Sequence, residues 1–191
     1  MATFQFPFPD KALTGHFGKV RRINGKKTNP HRGTDWGVKL GTPIPAVSSG
    51  TVALVQYSKI LGWVLVHTVY GSDKKVRYVG YSHMDSKPTL KVGAKLEMGQ
   101  TIGKIGNSGF STGPHLHGTL STTAKGVFYG TVLDLHKYLK GQIKSDREDV
   151  LKAKKIEDAK KITKKVKPPV IETKIVEKIV YACPHCKKEL K

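Results

Sequence analysis

The sequence predicts a mainly β protein: an antiparallel β-sheet domain with an open groove, followed by a C-terminal helical stalk and a short Cys-x-x-Cys knuckle. Residues 1–143 contain short apolar runs, and Gly, Pro, Ser or Asn interrupt them about every ten residues, as between antiparallel strands. After residue 145 glycine is absent and Lys, Glu, Ala and Ile dominate, which favours helix. We therefore divide the chain into residues 1–143, a basic helical stalk over 144–167 and a terminal segment over 168–191.

The predicted strands alternate apolar and polar residues, or are continuously apolar, and each ends at turn residues. They cover residues 51–57, 62–69, 76–83, 95–97, 101–105 and 115–120. A helix over 132–139 is expected to close the first domain. The stalk helix should end before Pro168-Pro169. Its apolar stripe is narrow, which fits either a self-associating stalk or a helix that packs on nothing.

The composition limits the class of protein. The chain has 191 residues, with 34 Lys+Arg against 14 Asp+Glu, a net charge of +20. Such charge attracts polyanions at long range. No apolar run approaches the roughly 20 residues that cross a bilayer, so we expect no membrane span. The N-terminus shows no signal-peptide pattern. The only two cysteines lie near the C-terminus, so a disulfide framework is excluded for the first domain.

Four histidines and one aspartate in the glycine-rich domain suggest a metal site. His31 and Asp35 are four residues apart and flank Gly33, so a turn can present both to one ion. His115 and His117 are two residues apart on a predicted strand. Their side chains therefore point to the same face, with Cα atoms roughly 7 Å apart. Alone, each pair is also compatible with ordinary hydrogen bonding or exposed strand histidines. Their combination with His83 is much more specific.

The ordered motifs resemble those of lysostaphin-like, LytM-type zinc metalloendopeptidases of peptidoglycan, a family that includes many phage lysins. The resemblance covers roughly residues 13–120. The matching motifs are His31-Arg32-Gly33-Thr34-Asp35, Tyr81-Ser82-His83-Met84, Gly99-Gln100-Thr101-Ile102-Gly103 and Ser111-Thr112-Gly113-Pro114-His115-Leu116-His117.

The resemblance implies a catalytic zinc ion bound by His31, Asp35 and His117, with His83 and His115 as catalytic histidines. Three protein ligands and one open position are typical of catalytic zinc. The chain departs from the family after His117, where Gly118 and Thr119 replace the usual aromatic residue and Glu. We expect packing behind this ligand to differ. The implied activity is hydrolysis of peptide bonds in peptidoglycan cross-links.

The sequence is compatible with two other functions. A non-catalytic wall-binding or phage structural domain could share the fold, and a zinc carboxypeptidase could share the metal site. The positive charge predicts binding to anionic wall polymers. No motif that reads nucleic acid is evident, so a specific nucleic-acid partner is not expected.

The C-terminal Cys183 and Cys186 form half of a zinc ribbon whose second cysteine pair is absent. A structural zinc site shared between two chains, a thiol redox pair and an incomplete site are the alternatives, and we favour zinc-linked homodimerisation. The lack of a signal-peptide pattern predicts an endolysin held in the host cytoplasm before lysis or a virion-associated lysin, and a bacterial enzyme exported by other means is the third alternative.

Overall fold

The computed structural model describes residues 3–20, 22–23 and 25–165, without the side chains of 23 and 158–165. Its regular elements are twelve short strands, two turns of 3₁₀ helix at Asp10–Ala12 and Ala124–Val127, and one long helix, α1, at Leu135–Lys165. The strands, β1 to β12, are Leu13–Gly15, Arg22–Ile23, Lys26–Lys27, Thr34–Gly37, Pro43–Pro45, Gly50–Ser58, Gly62–Tyr70, Val76–Met84, Lys95–Leu96, Thr101–Lys104, His115–Ser121 and Val132–Leu133.

Eight strands form one antiparallel sheet in the order β1-β4-β11-β8-β7-β6-β9, with β12 also paired to β11. The predicted fold class is confirmed for this domain, and each of the six predicted strands overlaps an observed one. Strands β2 and β3 form a separate two-stranded hairpin, and β5 pairs with β10. Strands β4, β11 and β8 lie side by side, and they carry most of the predicted site.

The helix differs from its prediction in where it begins. Val132 and Leu133 form strand β12, and one helix continues from Leu135 to Lys165, so the closing helix and the stalk helix are continuous. Gly141 lies inside this helix, where glycine costs only about 1 kcal/mol relative to alanine. The expected boundary at residue 143 therefore falls within a helix. The chain divides into compact units at residues 1–152 and 153–191, and the division into three functional segments remains a prediction.

The main core lies on one face of the sheet. Strand residues such as Trp36, Leu65 and Leu116 are fully buried there and pack with Leu135 and Leu139 of α1. On the opposite face, Val64 and Val66 pack with Val127 of the second 3₁₀ turn. Since side chains alternate along a strand, the residues flanking Leu116 face away from the main core. The fold thus directs His115 and His117 to the same side as the smaller cluster.

The structure does not extend to the C-terminal knuckle. Cys183, Cys186 and the whole segment 168–191 lie outside the described residues, so zinc binding and dimerisation through this tail remain predictions. No described helix combines the length and apolarity needed to cross a membrane.

A fully buried histidine away from the predicted metal site should make stability depend on pH. His67 stacks on Tyr81, with ring centroids 5.5 Å apart, and neither ring nitrogen makes a hydrogen bond of normal geometry within the described residues. Burial lowers the pKa of His67 from 6.5 to about 4, and the backbone of Ser48 offsets this only in part. The folded state therefore keeps this imidazole neutral.

We expect the free energy of unfolding to decrease as the pH falls from 6.5 towards 4, because the unfolded chain binds a proton that the folded chain excludes. In a His67→Phe variant, which keeps a ring against Tyr81, this contribution of about 3 kcal/mol should disappear. Urea denaturation of both proteins with a chelator, at pH 7.5, 5 and 4, tests it, since contributions from other histidines cancel in the comparison. The expectation is contradicted if the free energies of unfolding of the two proteins change equally with pH.

Candidate metal centre

Three side chains from two neighbouring strands and the loop before them meet at one point. His31 precedes β4, Asp35 lies on β4, and His117 lies opposite Asp35 on β11. Asp35 Oδ1 is 3.1 Å from His31 Nε2 and 2.8 Å from His117 Nδ1, and the two imidazole nitrogens are 3.2 Å apart. These atoms form a compact triangle of two nitrogens and one carboxylate oxygen.

This donor set fits a zinc ion. Tetrahedral zinc with bonds of about 2.0–2.1 Å to nitrogen and oxygen places neighbouring ligand atoms about 3.3 Å apart, close to the observed separations. Burial lowers the pKa of His117, and the Asp35 carboxylate opposes this in part, so the imidazole is neutral as a metal ligand must be. Three protein ligands, with a water molecule in the fourth position, are typical of catalytic rather than structural zinc.

His83 reaches the same place through an irregularity in the sheet. Tyr81 and Met84 are both buried in the main core, so an extra residue interrupts the alternation between them, and the β7–β8 register shifts at this point. His83 has a left-handed backbone with φ of 60°. Its N–H donates to the Leu61 carbonyl over 2.8 Å. A β-bulge of this kind re-aims a side chain, and it places the His83 ring 5.8 Å from that of His117.

His83 and His115 form a pair beside the triangle. Their ring centroids are 4.7 Å apart, and His115 Nε2 lies 3.8 Å from Asp35 Oδ1. A cleft of about 270 Å³ opens next to Asp35 and His115, so solvent and a peptide can reach this side of the centre. Burial lowers the pKa of His83 from 6.5 to about 4, which keeps its imidazole neutral at pH 7.

Backbone carbonyls fix the orientation of three of the four histidines. Nδ1 of His31 lies 3.0 Å from the His16 carbonyl, Nδ1 of His83 lies 2.7 Å from the Ser108 carbonyl, and Nδ1 of His115 lies 2.8 Å from the Gly113 carbonyl. A carbonyl only accepts hydrogen bonds, so each Nδ1 carries a proton, and in the neutral tautomer the lone pair is on Nε2. For His31 this lone pair faces the other two ligand atoms.

Two glycines allow the close packing around His117. A Cβ at Gly33 would lie 2.6 Å from both the Gly118 carbonyl oxygen and His117 Cε1. A Cβ at Gly118 would lie 2.8 Å from atoms of Trp36 and Leu135. An indole ring and the start of α1 fill the space that a side chain at position 118 would need, and the expected difference from the family in this packing stays a prediction.

Gly33→Ala should disturb the metal centre. The added methyl group would collide with the backbone of β11 and with the His117 ring, so the ring must move away from Asp35. We expect zinc affinity to fall at least about tenfold, the size of effect seen when groups that orient metal ligands are changed. Isothermal titration with zinc measures this. Gly113→Ala is the matched control, because a Cβ there meets nothing within 4 Å; equal affinities of the two variants would contradict the expectation.

The structure brings together all five residues that the sequence singled out, namely His31, Asp35, His83, His115 and His117. Their roles as ligands and catalytic groups remain predictions. Sequence reasoning missed the carbonyls of His16, Ser108 and Gly113 and the part played by Gly33. A carbonyl leaves no residue-specific signal, although Gly33 between His31 and Asp35 was visible in the motif.

Among the described residues, two imidazoles and one carboxylate that could hold a metal ion lie beside two further imidazoles, an arrangement typical of metal-dependent hydrolases. The chain belongs to Peptidase family M23, whose family model matches residues 29–128. Zinc is the metal of this family, and the His31, Asp35 and His117 group suits it. The resemblance predicted from the motifs is thereby confirmed.

Two named relatives match half of the chain or more. The peptidoglycan DD-endopeptidase ShyC of Vibrio cholerae is 38% identical over 118 residues, which are 61% of this chain and 26% of that protein. The glycyl-glycine endopeptidase ALE-1 of Staphylococcus capitis is 36% identical over 103 residues, 50% of this chain and 25% of that protein. The chain thus spans about a quarter of the length of each.

A solved structure gives the same result for the fold. The catalytic domain of lysostaphin from Staphylococcus simulans is 32% identical, with a TM-score of 0.55, and the match covers 67% of this chain and 91% of that domain.

Proposed function

We propose that this protein is a zinc-dependent endopeptidase that hydrolyses peptide bonds in bacterial peptidoglycan cross-links. The observation that carries the proposal is the convergence of His31, Asp35 and His117 within hydrogen-bonding distance of one another, with His83 and His115 beside them. The name of the relative in Vibrio cholerae, a peptidoglycan DD-endopeptidase, supports peptidoglycan as the substrate.

In this proposal His31 Nε2, Asp35 Oδ1 and His117 Nδ1 hold the metal. Zinc supplies Lewis acidity and lowers the pKa of a bound water to about 7, which makes a nucleophile available at neutral pH. Asp35 also reduces the local positive charge by one. His31 keeps its orientation through the hydrogen bond from Nδ1 to the His16 carbonyl.

His83 and His115 handle protons in the reaction. Each donates from Nδ1 to a carbonyl, so in its neutral form either ring accepts a proton from the attacking water at Nε2 and passes it to the leaving amine. The same rings, once protonated, stabilise the negative oxygen that develops on the scissile carbonyl carbon. The lowered pKa of His83 keeps it in the proton-accepting form at pH 7.

Purified cell walls of several chemotypes test this function. The full chain should clear a wall suspension, a chelator should abolish clearing, and added zinc should restore it. Mass spectrometry of the products should show cut cross-links; release of terminal residues alone would indicate a carboxypeptidase instead. Binding to walls without any product would identify a non-catalytic wall-binding domain and refute the proposal.

Three finer predictions accompany this function. The net charge of +20 supports attraction to anionic wall polymers, and screening by salt should weaken it. The roles of endolysin or virion-associated lysin and dimerisation through Cys183 and Cys186 remain predictions from the sequence.

A further inference from the structure

A strongly basic hairpin adjoins the metal centre, and neither the proposed zinc ligands nor the catalytic histidines account for it. Residues 14–34 include six Lys or Arg and no Asp or Glu. Strands β2 and β3 form the hairpin, with Arg22 opposite Lys27 and Ile23 opposite Lys26. The side chains of Arg22, Lys26 and Lys27 are exposed.

The base of this hairpin is fixed to a proposed zinc ligand. The His31 N–H donates to the Lys19 carbonyl over 3.1 Å, and the Gly18 N–H donates to the His31 carbonyl over 2.8 Å. From the Lys19–His31 pair to the Arg22–Lys27 pair is three or four residues, which is about 10 Å of extended chain. Arg22 and Lys27 therefore lie within about 13 Å of chain from the Lys19–His31 pair.

Arg32 extends the basic surface to the second 3₁₀ turn. Its Nη2 donates to the Gly130 carbonyl over 2.8 Å, so the guanidinium lies next to the loop that follows the turn. Within the described residues, no carboxylate lies within ion-pair distance of Lys19, Arg22, Lys26, Lys27 or Arg32. The carboxylate next to this segment, Asp35, is buried and faces His31 and His117.

We propose that this basic hairpin selects cross-link peptides that carry free carboxylates about two to four residues from the scissile bond, given an extended-chain rise of about 3.3 Å per residue. The proposal rests on the proposed peptidase function and names its substrate class. Cations near the metal centre without a carboxylate partner attract an anionic peptide and contribute nothing to an uncharged one such as oligoglycine. The charge pattern thus favours acidic stem peptides over neutral bridges.

The test compares one cross-linked muropeptide dimer in two forms, taken from a wall chemotype that the wild type digests. One form keeps its free carboxylates, and in the other they are converted to amides with carbodiimide and ammonia. The variant is Arg22→Gln/Lys26→Gln/Lys27→Gln. The control, Lys91→Gln/Lys137→Gln/Lys140→Gln, removes the same charge from exposed lysines near the opposite sheet edge and on α1.

On the carboxylate form, the hairpin variant should have a KM about tenfold higher than wild type, with kcat unchanged. A tenfold change in KM is typical of several exposed charges acting together. On the amide form, the hairpin variant and the wild type should agree within about twofold. The control variant should match wild type on both, and 0.5 M salt should reduce the hairpin effect because the Debye length falls to about 4 Å.

Equal KM changes on both forms, or none on the carboxylate form, would overturn the proposal. A loss of activity of the hairpin variant on whole walls but not on the dimer would also overturn the proposal, because the hairpin would then bind an anionic wall polymer rather than the substrate peptide. If wild type cuts no dimer of any chemotype with zinc present, the peptidase function itself fails, and this result is distinct from the others.

Discussion

His117→Ala should lose both the bound zinc and the hydrolytic activity. His117 Nδ1 is one of three ligand atoms and the partner of Asp35 at 2.8 Å, so its removal leaves two ligands and a buried carboxylate without this contact. Zinc content should fall from one ion per chain to none, measured in a Cys183→Ser/Cys186→Ser background so that the tail cannot contribute. The rate of dimer cleavage should decrease at least about a thousandfold, because water activation at neutral pH depends on the metal.

A folded His117→Ala protein that retains wild-type cleavage without zinc would contradict the ligand assignment. Far-UV circular dichroism establishes whether this variant folds. His31→Ala provides a second test if it does not, because His31 is less buried and belongs to a loop rather than to β11. It should also lose zinc.

Replacing His83 should separate metal binding from catalysis. His83 contributes no atom to the ligand triangle, so zinc content should remain at one ion per chain. Loss of its proton-accepting Nε2 should reduce kcat by about a hundredfold to ten-thousandfold, the usual contribution of a general acid or base. Elemental analysis and steady-state kinetics on the same preparation give both quantities.

The choice of substitution matters because of the left-handed backbone at position 83, where φ is 60°. Asparagine adopts this conformation more readily than alanine, which lacks a polar side chain able to hydrogen-bond locally. We therefore expect His83→Asn and His83→Ala to lose similar activity, while His83→Asn is the more stable by about 1 kcal/mol. A His83→Asn protein with wild-type kcat, or one without zinc, would refute the catalytic role.

The sequence singled out residues that lie close together in the structure because they are side chains in recognisable spacings. His115 and His117 share a face through strand alternation, and this holds in β11. The same rule fails for His83, because a bulge between Tyr81 and Met84 reverses the direction of its side chain. A bulge depends on pairing with β7, so the local sequence of β8 does not reveal it.

Other parts of the molecule depended on contacts that a sequence pattern does not contain. Strand β4 is only four residues long and gains its structure from β11 and β1, so its apolar pattern is too short to predict. The start of α1 at Leu135 follows from packing of Leu135 and Leu139 against the sheet. The carbonyls that orient His31, His83 and His115 belong to residues whose side chains have no common chemistry.

X-ray absorption at the zinc K-edge tests the metal centre most directly, with the full chain carrying Cys183→Ser/Cys186→Ser. The structure predicts one bound zinc with two imidazole nitrogens and oxygen ligands at about 2.0–2.1 Å, and no sulfur at about 2.3 Å. In His31→Ala the zinc signal itself should be lost. If the Cys183→Ser/Cys186→Ser protein binds no zinc, or binds zinc without imidazole ligands, the assignment of His31, Asp35 and His117 is contradicted.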